Sequence, residues 1–420
     1  MSHRSVLQLI IAVSLVATAG AHALAWGLFG YVTADKSPPA DSQAARAYAN
    51  AVNGLGLDLW RELRSKGNAA ISPASIETAL TMVYAGARGT TASAMARVLH
   101  LTTDQKQAAT AAGELVRVWN DPSQTMYTLS VANRIFAERE LQIDPSYLAM
   151  TRDEFAAELE RLDFKHSASA ALSVINGWVA LRTHDRIRDI LSEGSVTSAT
   201  RLVLVNAIYF HGEWQQAFER KATRPEPFYA EGTQRNVAMM HKAGGRYGEH
   251  AGVKLLELVY RGGDLGMMFA LPPTRSGLQE LEARLDPALV VSWARSLQPD
   301  NEVVVALPKF RIETGSIELT GLLNALGMRS AFSDLADFSG MSERREDQFH
   351  VDRVVHKAFV ELDEVGTEAA AATGVVMDFT TSIETRRAPP VFRADHPFLF
   401  LLRDLRTGAI LFLGRVVEPS

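Results

Sequence analysis

The run R-L-V-L-V-N-A-I-Y-F at Arg201 to Phe210 constrains the fold more than any other stretch of this 420-residue chain. Its apolar residues do not alternate with polar ones, so as a strand it must be covered on both faces, which places it in the middle of a sheet. Further strands are expected at Tyr127–Phe136, Lys254–Val259, Gly266–Leu271, Asn301–Phe310, Phe398–Leu402 and Ala409–Arg415, and a short one just ahead of Ser72. Helical spacing of apolar residues predicts helices at Ala44–Arg64, Thr91–Leu99, Asp104–Trp119, Pro145–Phe155, Leu172–Leu191, Leu278–Leu285 and Leu319–Leu326. Another should start at Pro73, with Ser72 as its cap and Glu77 early in its first turns. No internal repeat and no long linker separates these elements, so residues 44–420 read as one α+β unit.

Composition narrows the function. Hydrophobic residues make up 47% of the chain, ample for a core, and a net charge of -5 with no dense Lys/Arg cluster argues against a nucleic-acid footprint. Cysteine is absent, which excludes disulfides, thiolate chemistry and Cys-type zinc sites. From Ser5 to Ala34 there is no Asp, Glu, Lys or Arg, and Ala21-His22-Ala23 and Ala23-Leu24-Ala25 offer small-residue cleavage patterns. Residues 1–25 are therefore expected to be an export signal or an uncleaved membrane anchor, with residues 26–43 as a linker that is polar from Asp35 onward.

No H-E-x-x-H, P-loop or G-x-S-x-G pattern occurs, and the pieces A-G-G-R-Y-G and R-G-G-D-L-G lack dinucleotide spacing and read as turns. The eleven histidines are dispersed. His350 and His356 would share a face of a regular strand, but no acidic partner stands at a spacing that suggests a metal. Ser72 is better explained as a cap than as a nucleophile. No enzyme, metal site or cofactor is expected.

The stretch E-L-D-E-V-G-T-E-A-A-A-A-T-G-V-V-M-D-F-T-T-S-I-E-T-R-R at Glu361 to Arg387 is unlike the rest. Its Ala run has the composition of an exposed helix. Read with a period of two, Thr367, Ala369, Ala371, Thr373, Val375, Met377 and Phe379 carry no charge, while Glu368 and Asp378 fall on the other set, so it would equally make a strand with one buriable face. Gly366 ahead of it supplies a permissive pivot.

Several separated segments together resemble the serpin family of protease inhibitors, over essentially the whole chain from about residue 50. They are N-A-A-I-S-P-A-S-I at Asn68, V-N-A-I-Y-F-H-G-E-W at Val205, L-P-K-F at Leu307 and V-H-K-A-F-V-E-L-D-E-V-G-T-E-A-A-A-A-T at Val355. A-D-H-P-F-L-F-L-L-R-D and G-A-I-L-F-L-G-R-V complete the set. The resemblance, to a member of bacterial type, implies three β-sheets with eight or nine helices and an exposed reactive-centre loop. It also implies that the Ala run is a strand in waiting: a serine protease cleaves the loop, and the amino-side arm enters the central sheet with the acyl-enzyme attached.

The hinge of such a loop would comprise Glu364, Gly366, Thr367, Glu368, Ala369, Ala370, Ala371, Ala372 and Thr373, the pattern of inhibitory members. Counting forward in the family register places the reactive bond at Thr380-Thr381; counting back from Pro397-Phe398 places it near Arg386-Arg387. Thr at the cut suggests an elastase-like or subtilisin-like protease. Ser72, Ser75, Asn206 and His356 match the family's shutter, a polar cluster beneath the parting strands. Trp214, Lys309 and Glu364 match the breach, where the loop first enters. Only Lys106 and Arg117 are basic in Asp104–Trp119, so no heparin-type activator is expected. An exported monomer follows, with a non-inhibitory binding or chaperone module as the alternative.

Overall fold

The computed structural model describes residues 42–63, 67–230, 232–342, 349–367 and 388–419. The export signal or anchor at 1–25, most of the linker, the hinge residues Glu368 to Thr373, the bond Thr380-Thr381 and the alternative at Arg386-Arg387 lie outside them.

Nine α-helices form among these residues: α1 (Gln43–Glu62), α2 (Pro73–Gly86), α3 (Gly89–Val98), α4 (Gln105–Trp119), α5 (Pro145–Phe155), α6 (Phe164–Arg182), α7 (Leu278–Ala283), α8 (Pro287–Ser296) and α9 (Thr320–Leu326). Local chemistry sets six of the starts. Ser42, Ser72, Asp104, Asp144, Asp163 and Asp286 each accept a first-turn amide, and Pro73, Pro145 and Pro287 need no amide partner at the first helical position.

The seven-strand sheet runs in the order β10 (Phe310–Glu313), β12 (Arg353–Leu362), β13 (Gly366–Thr367), β4 (Leu202–Glu213), β2 (Tyr127–Glu138) and β3 (Glu160–Leu162), with β11 (Ile317–Glu318) also on β12. Its centre, β4, contains the Arg201–Phe210 run. Leu202, Leu204 and Ile208 join the main core, while Val203, Val205 and Ala207 pack with Ile175 and Val179 of α6 on the opposite face. Two covered faces explain the missing alternation. The second network holds nine strands in the order β1 (Ala69–Ile71), β16 (Ile410–Val416), β15 (Phe398–Asp404), β8 (Leu265–Leu271), β7 (Val253–Val259), β6 (Thr233–His250), β9 (Gln298–Pro308) and β14 (Val391–Arg393), with β5 (Arg224–Ala230) on β6. Where three sheets were expected, hydrogen bonds join the described strands into two networks, because the 18-residue β6 is continuous through both parts of the larger one. Its early residues pair with β5 and its last with β7.

Four local expectations change. A-G-G-R-Y-G is not a turn but the middle of β6, where the register shifts between Ala243 and Gly245 and Gly244 takes φ +84. A Cβ on Gly248 would lie 2.5 Å from the Ser296 carbonyl oxygen, so this glycine lets α8 press onto the strand. The Asn301–Phe310 strand is two: β9 ends at Pro308 and β10 starts at Phe310 in the other network, with Lys309 at the crossing. The helix expected at Leu172–Leu191 begins instead at Phe164, where the Glu138 carboxylate accepts the Phe164 and Lys165 amides, and it ends at Arg182. His350 lies ahead of β12 rather than on it, 3.5 Å from Asp334, so it does not share a face with the buried His356.

Candidate functional site

β4 and β12 run parallel from Val203 opposite Arg353 to Ile208 opposite Ala358. In the middle of that stretch Asn206 stands opposite His356, and on its other edge opposite Asn133 of β2. All three point toward the start of α2. The His356 Nδ1–H donates to Asn206 Oδ1 at 2.5 Å, and His356 Nε2 accepts the Ser72 backbone amide at 3.0 Å. That pairing needs a neutral ring, and burial pushes the His356 imidazole down to about 3. The Ser72 hydroxyl oxygen accepts the Ser75 amide at 3.1 Å, the Ser75 hydroxyl donates to Asn133 Oδ1 at 2.9 Å, and Asn133 Nδ2 donates to the Ser75 carbonyl at 3.1 Å. Ser72, Ser75, Asn206 and His356 therefore form one buried network, which Asn133 completes. The Asn206 amide nitrogen is buried and has no partner among the described residues. Asn133 was absent from the sequence reading although a signal existed: Tyr127, Leu129, Val131 and Ile135 alternate into the core, and Asn133 is the polar residue in that series.

Beyond Ala358 the two strands part and β13 fills the gap. Thr367 pairs with Leu362 of β12 on one side and Gly212 of β4 on the other, and Gly366 pairs with Glu213. The chain reverses tightly between Leu362 and Gly366: Asp363 donates its amide to the Gly366 carbonyl at 2.9 Å, and its carboxylate accepts the Val365 and Gly366 amides at 2.8 and 3.2 Å. Gly366 is required here for space rather than for an unusual dihedral, since a Cβ would lie 2.0 Å from the Gly212 carbonyl oxygen.

Trp214, Lys309 and Glu364 converge on this reversal. The Trp214 amide donates to Val365 O at 2.7 Å and its indole Nε1 to Asp363 O at 3.1 Å. Lys309 Nζ lies 2.6 Å from Glu364 Oε2, and the Thr223 hydroxyl donates to Oε1 at 2.7 Å. Burial opposes ionisation of Glu364, but Lys309 and Thr223 outweigh it and hold the carboxyl below its usual range. The crossing of Lys309 between the two networks is what brings its ammonium here. Tyr260, Thr223 and Asp363 are equally part of the site. Tyr260 and Thr223 carried no sequence signal because each reaches it from a different part of the chain, whereas Asp363 stands next to Glu364. Tyr260 stacks on Trp214 with ring centroids 4.3 Å apart.

The described residues thus define an α+β protein whose seven-strand sheet holds a two-residue strand, Gly366–Thr367, between β4 and β12. The family profile described as "Serpin (serine protease inhibitor)" matches residues 50–419. An uncharacterized serpin-like protein of Thermococcus kodakarensis is 38% identical over 88% of this chain and 85% of its own length. A leukocyte elastase inhibitor of Sus scrofa is 39% identical over 87% and 97%. Among solved structures, a highly specific serpin of the insect Tenebrio molitor superposes with a TM-score of 0.78 at 29% identity, covering 93% of this chain and 100% of that one. This chain belongs to the serpin family, a family of protease inhibitors rather than enzymes.

Proposed function

We propose that the protein is a suicide-substrate inhibitor of serine proteases of elastase-like or subtilisin-like specificity. The observation that carries this reading is the placement of Gly366 and Thr367 between β4 and β12, so that a cut loop has its path into the sheet already begun. The protease serine attacks the Thr380 carbonyl carbon, the Thr380-Thr381 amide bond breaks, and the new amine of Thr381 leaves. The acylated arm then continues the strand started by β13. About fourteen residues at roughly 3.3 Å each carry the enzyme ~45 Å along the sheet. The Ser72–Ser75–Asn206–His356 cluster favours this reading, because the Asn206 side-chain amide, without a partner among the described residues, gives an entering backbone a donor to pair with. The relatives named as elastase inhibitors support the protease class. The charge-free Ser5–Ala34 stretch supports action outside the cytoplasm, secreted, periplasmic or anchored.

Incubation with pancreatic elastase or subtilisin is expected to give an SDS-stable complex, with Thr381 as the new amino terminus of the released fragment. Release of cut protein alone from every serine protease tried, with no rise in melting temperature after cleavage, would instead identify a binding or chaperone module.

A further inference from the structure

The two ends of the β4–β12 seam are built differently. At the Gly366 end the strands diverge and are already occupied by β13. At the other end a side chain closes them. Asp352, the residue immediately ahead of β12, places its carboxylate Oδ2 where it accepts the Arg201 amide at 2.8 Å and the Leu202 amide at 2.9 Å. Its own amide donates to the Leu202 carbonyl at 3.1 Å. The second oxygen, Oδ1, stands 3.8 Å from His350 Nε2. Arg201 is also tied in the other direction, because its carbonyl accepts the Glu138 amide of β2 at 2.8 Å, and the Glu138 carboxylate in turn caps α6. The entry of β4 is thus fixed to β2 and α6 on one edge and to β12, through Asp352, on the other. Amides bonded to a carboxylate are held more strongly than by a neutral ladder partner.

We propose that Asp352 is a clasp that keeps the far end of the β4–β12 seam shut, so that a strand entering at Gly366 completes its insertion only by displacing this carboxylate from Arg201 and Leu202. The proposal rests on the inhibitory reading above and makes Asp352 a positioning residue for it, one that sets the rate of full insertion. The backbone groups that Asp352 occupies belong to the edge of β4 on which β13 pairs, the edge an added strand must use along its whole length.

The test uses a synthetic peptide of the sequence Glu368–Phe379, added to the intact protein and followed by native gel and by the rise in melting temperature on uptake. Asp352→Ala is expected to take up the peptide about tenfold faster than the wild type, because the resting state loses both carboxylate hydrogen bonds, to the Arg201 and Leu202 amides. Asp352→Asn, which retains an acceptor oxygen, should stay within about threefold. A second measurement separates a clasp from general stabilisation. The loop-cleaved forms of the wild type and of Asp352→Ala should melt at the same temperature, whereas their uncut forms should differ. If the Ala variant does not accumulate as folded protein, Asp352→Gly, which likewise lacks an acceptor, provides the same comparison. Equal uptake rates in wild type and variant, or equal destabilisation of the cut and uncut forms, would overturn the clasp while leaving the inhibitory reading intact. A wild type that takes up no peptide and gains no stability on cleavage would overturn both.

Discussion

The hydroxyls of Thr367 and Tyr260 meet at 2.6 Å in a fully enclosed position, with the Tyr260 ring stacked on Trp214. Thr367 is thereby fixed with its side chain toward the core, on the same face as Leu362 beside it. An arm continuing this strand would turn Ala369, Ala371 and the other odd-numbered residues to the same face.

A charge at Thr367 would have to be desolvated beneath Trp214 and Tyr260, a cost of several kcal/mol. On the proposed inhibitory function, Thr367→Arg is therefore expected to give a substrate in place of an inhibitor: cleavage by elastase persists while the SDS-stable complex disappears. Unchanged complex yield in this variant would refute the inward register of the hinge.

His356 predicts a pH dependence. Its folded value of about 3 lies below the ordinary histidine value of 6.5. The unfolded or opened state therefore binds the proton first, so this group's contribution to stability is complete above about 6.5 and is lost as pH falls from there toward 3. At about 1.4 kcal/mol per unit, the native state should lose a few kcal/mol over this range. Urea titrations at pH 7.5 and 5 should show the loss, and His356→Gln should flatten it. A wild-type slope no steeper than that of the variant would exclude the neutral, buried ring as its source.

Glu77, which the sequence places early in the first turns of α2, is fully buried, and neither carboxylate oxygen has a hydrogen-bond partner among the described residues. Burial raises its carboxyl well above the ordinary value of 4.5. The sign is opposite to that of His356: the contribution is complete below 4.5 and lost as pH rises toward the folded value. Glu77→Leu is expected to stabilise the protein at pH 7 by roughly 1–3 kcal/mol, and by less at pH 4.5. Thermal melts at the two pH values check this, and a variant less stable at pH 7 than the wild type would contradict it.

The β13 register makes a further prediction about the cleaved form. Continued residue for residue from Thr367 opposite Gly212, it brings Asp378 opposite Arg201. In the uncut structure the Arg201 guanidinium donates to the Ser198 and Thr200 carbonyls, and it would exchange these for a cross-strand ion pair. Such a pair contributes roughly 0.2–1 kcal/mol. Arg201→Glu should lower the stability of the cleaved form by that amount, and Asp378→Arg added to it should restore the loss. A double-mutant cycle with no coupling would show that the inserted strand takes another register.

Much of the fold was legible because it rests on local rules. The unalternating Arg201–Phe210 run is central because both faces of β4 are packed, and Ser72, Pro73, Asp104 and Pro145 start helices by the chemistry of unsatisfied amides. Differences arose where contacts distant in sequence decided the local structure. A-G-G-R-Y-G became strand because α8 leans on Gly248, and L-P-K-F split because Lys309 steps between networks.

The sequence by itself determined the family, the polar residues Ser72, Ser75, Asn206 and His356, and the small, uncharged face of the Glu361–Arg387 stretch, all of which are properties of residue type and order. Only the tertiary structure decided what those residues meet. Tyr260 reaches Thr367, Lys309 reaches Glu364 and Asn133 completes the cluster through contacts between residues more than fifty positions apart. Gly366, read as a pivot, is needed because the Gly212 carbonyl leaves no room for a Cβ. The physical reason is common to all of them: hydrogen-bond reach and close packing are set by strand register across the sheet, and register depends on every strand at once.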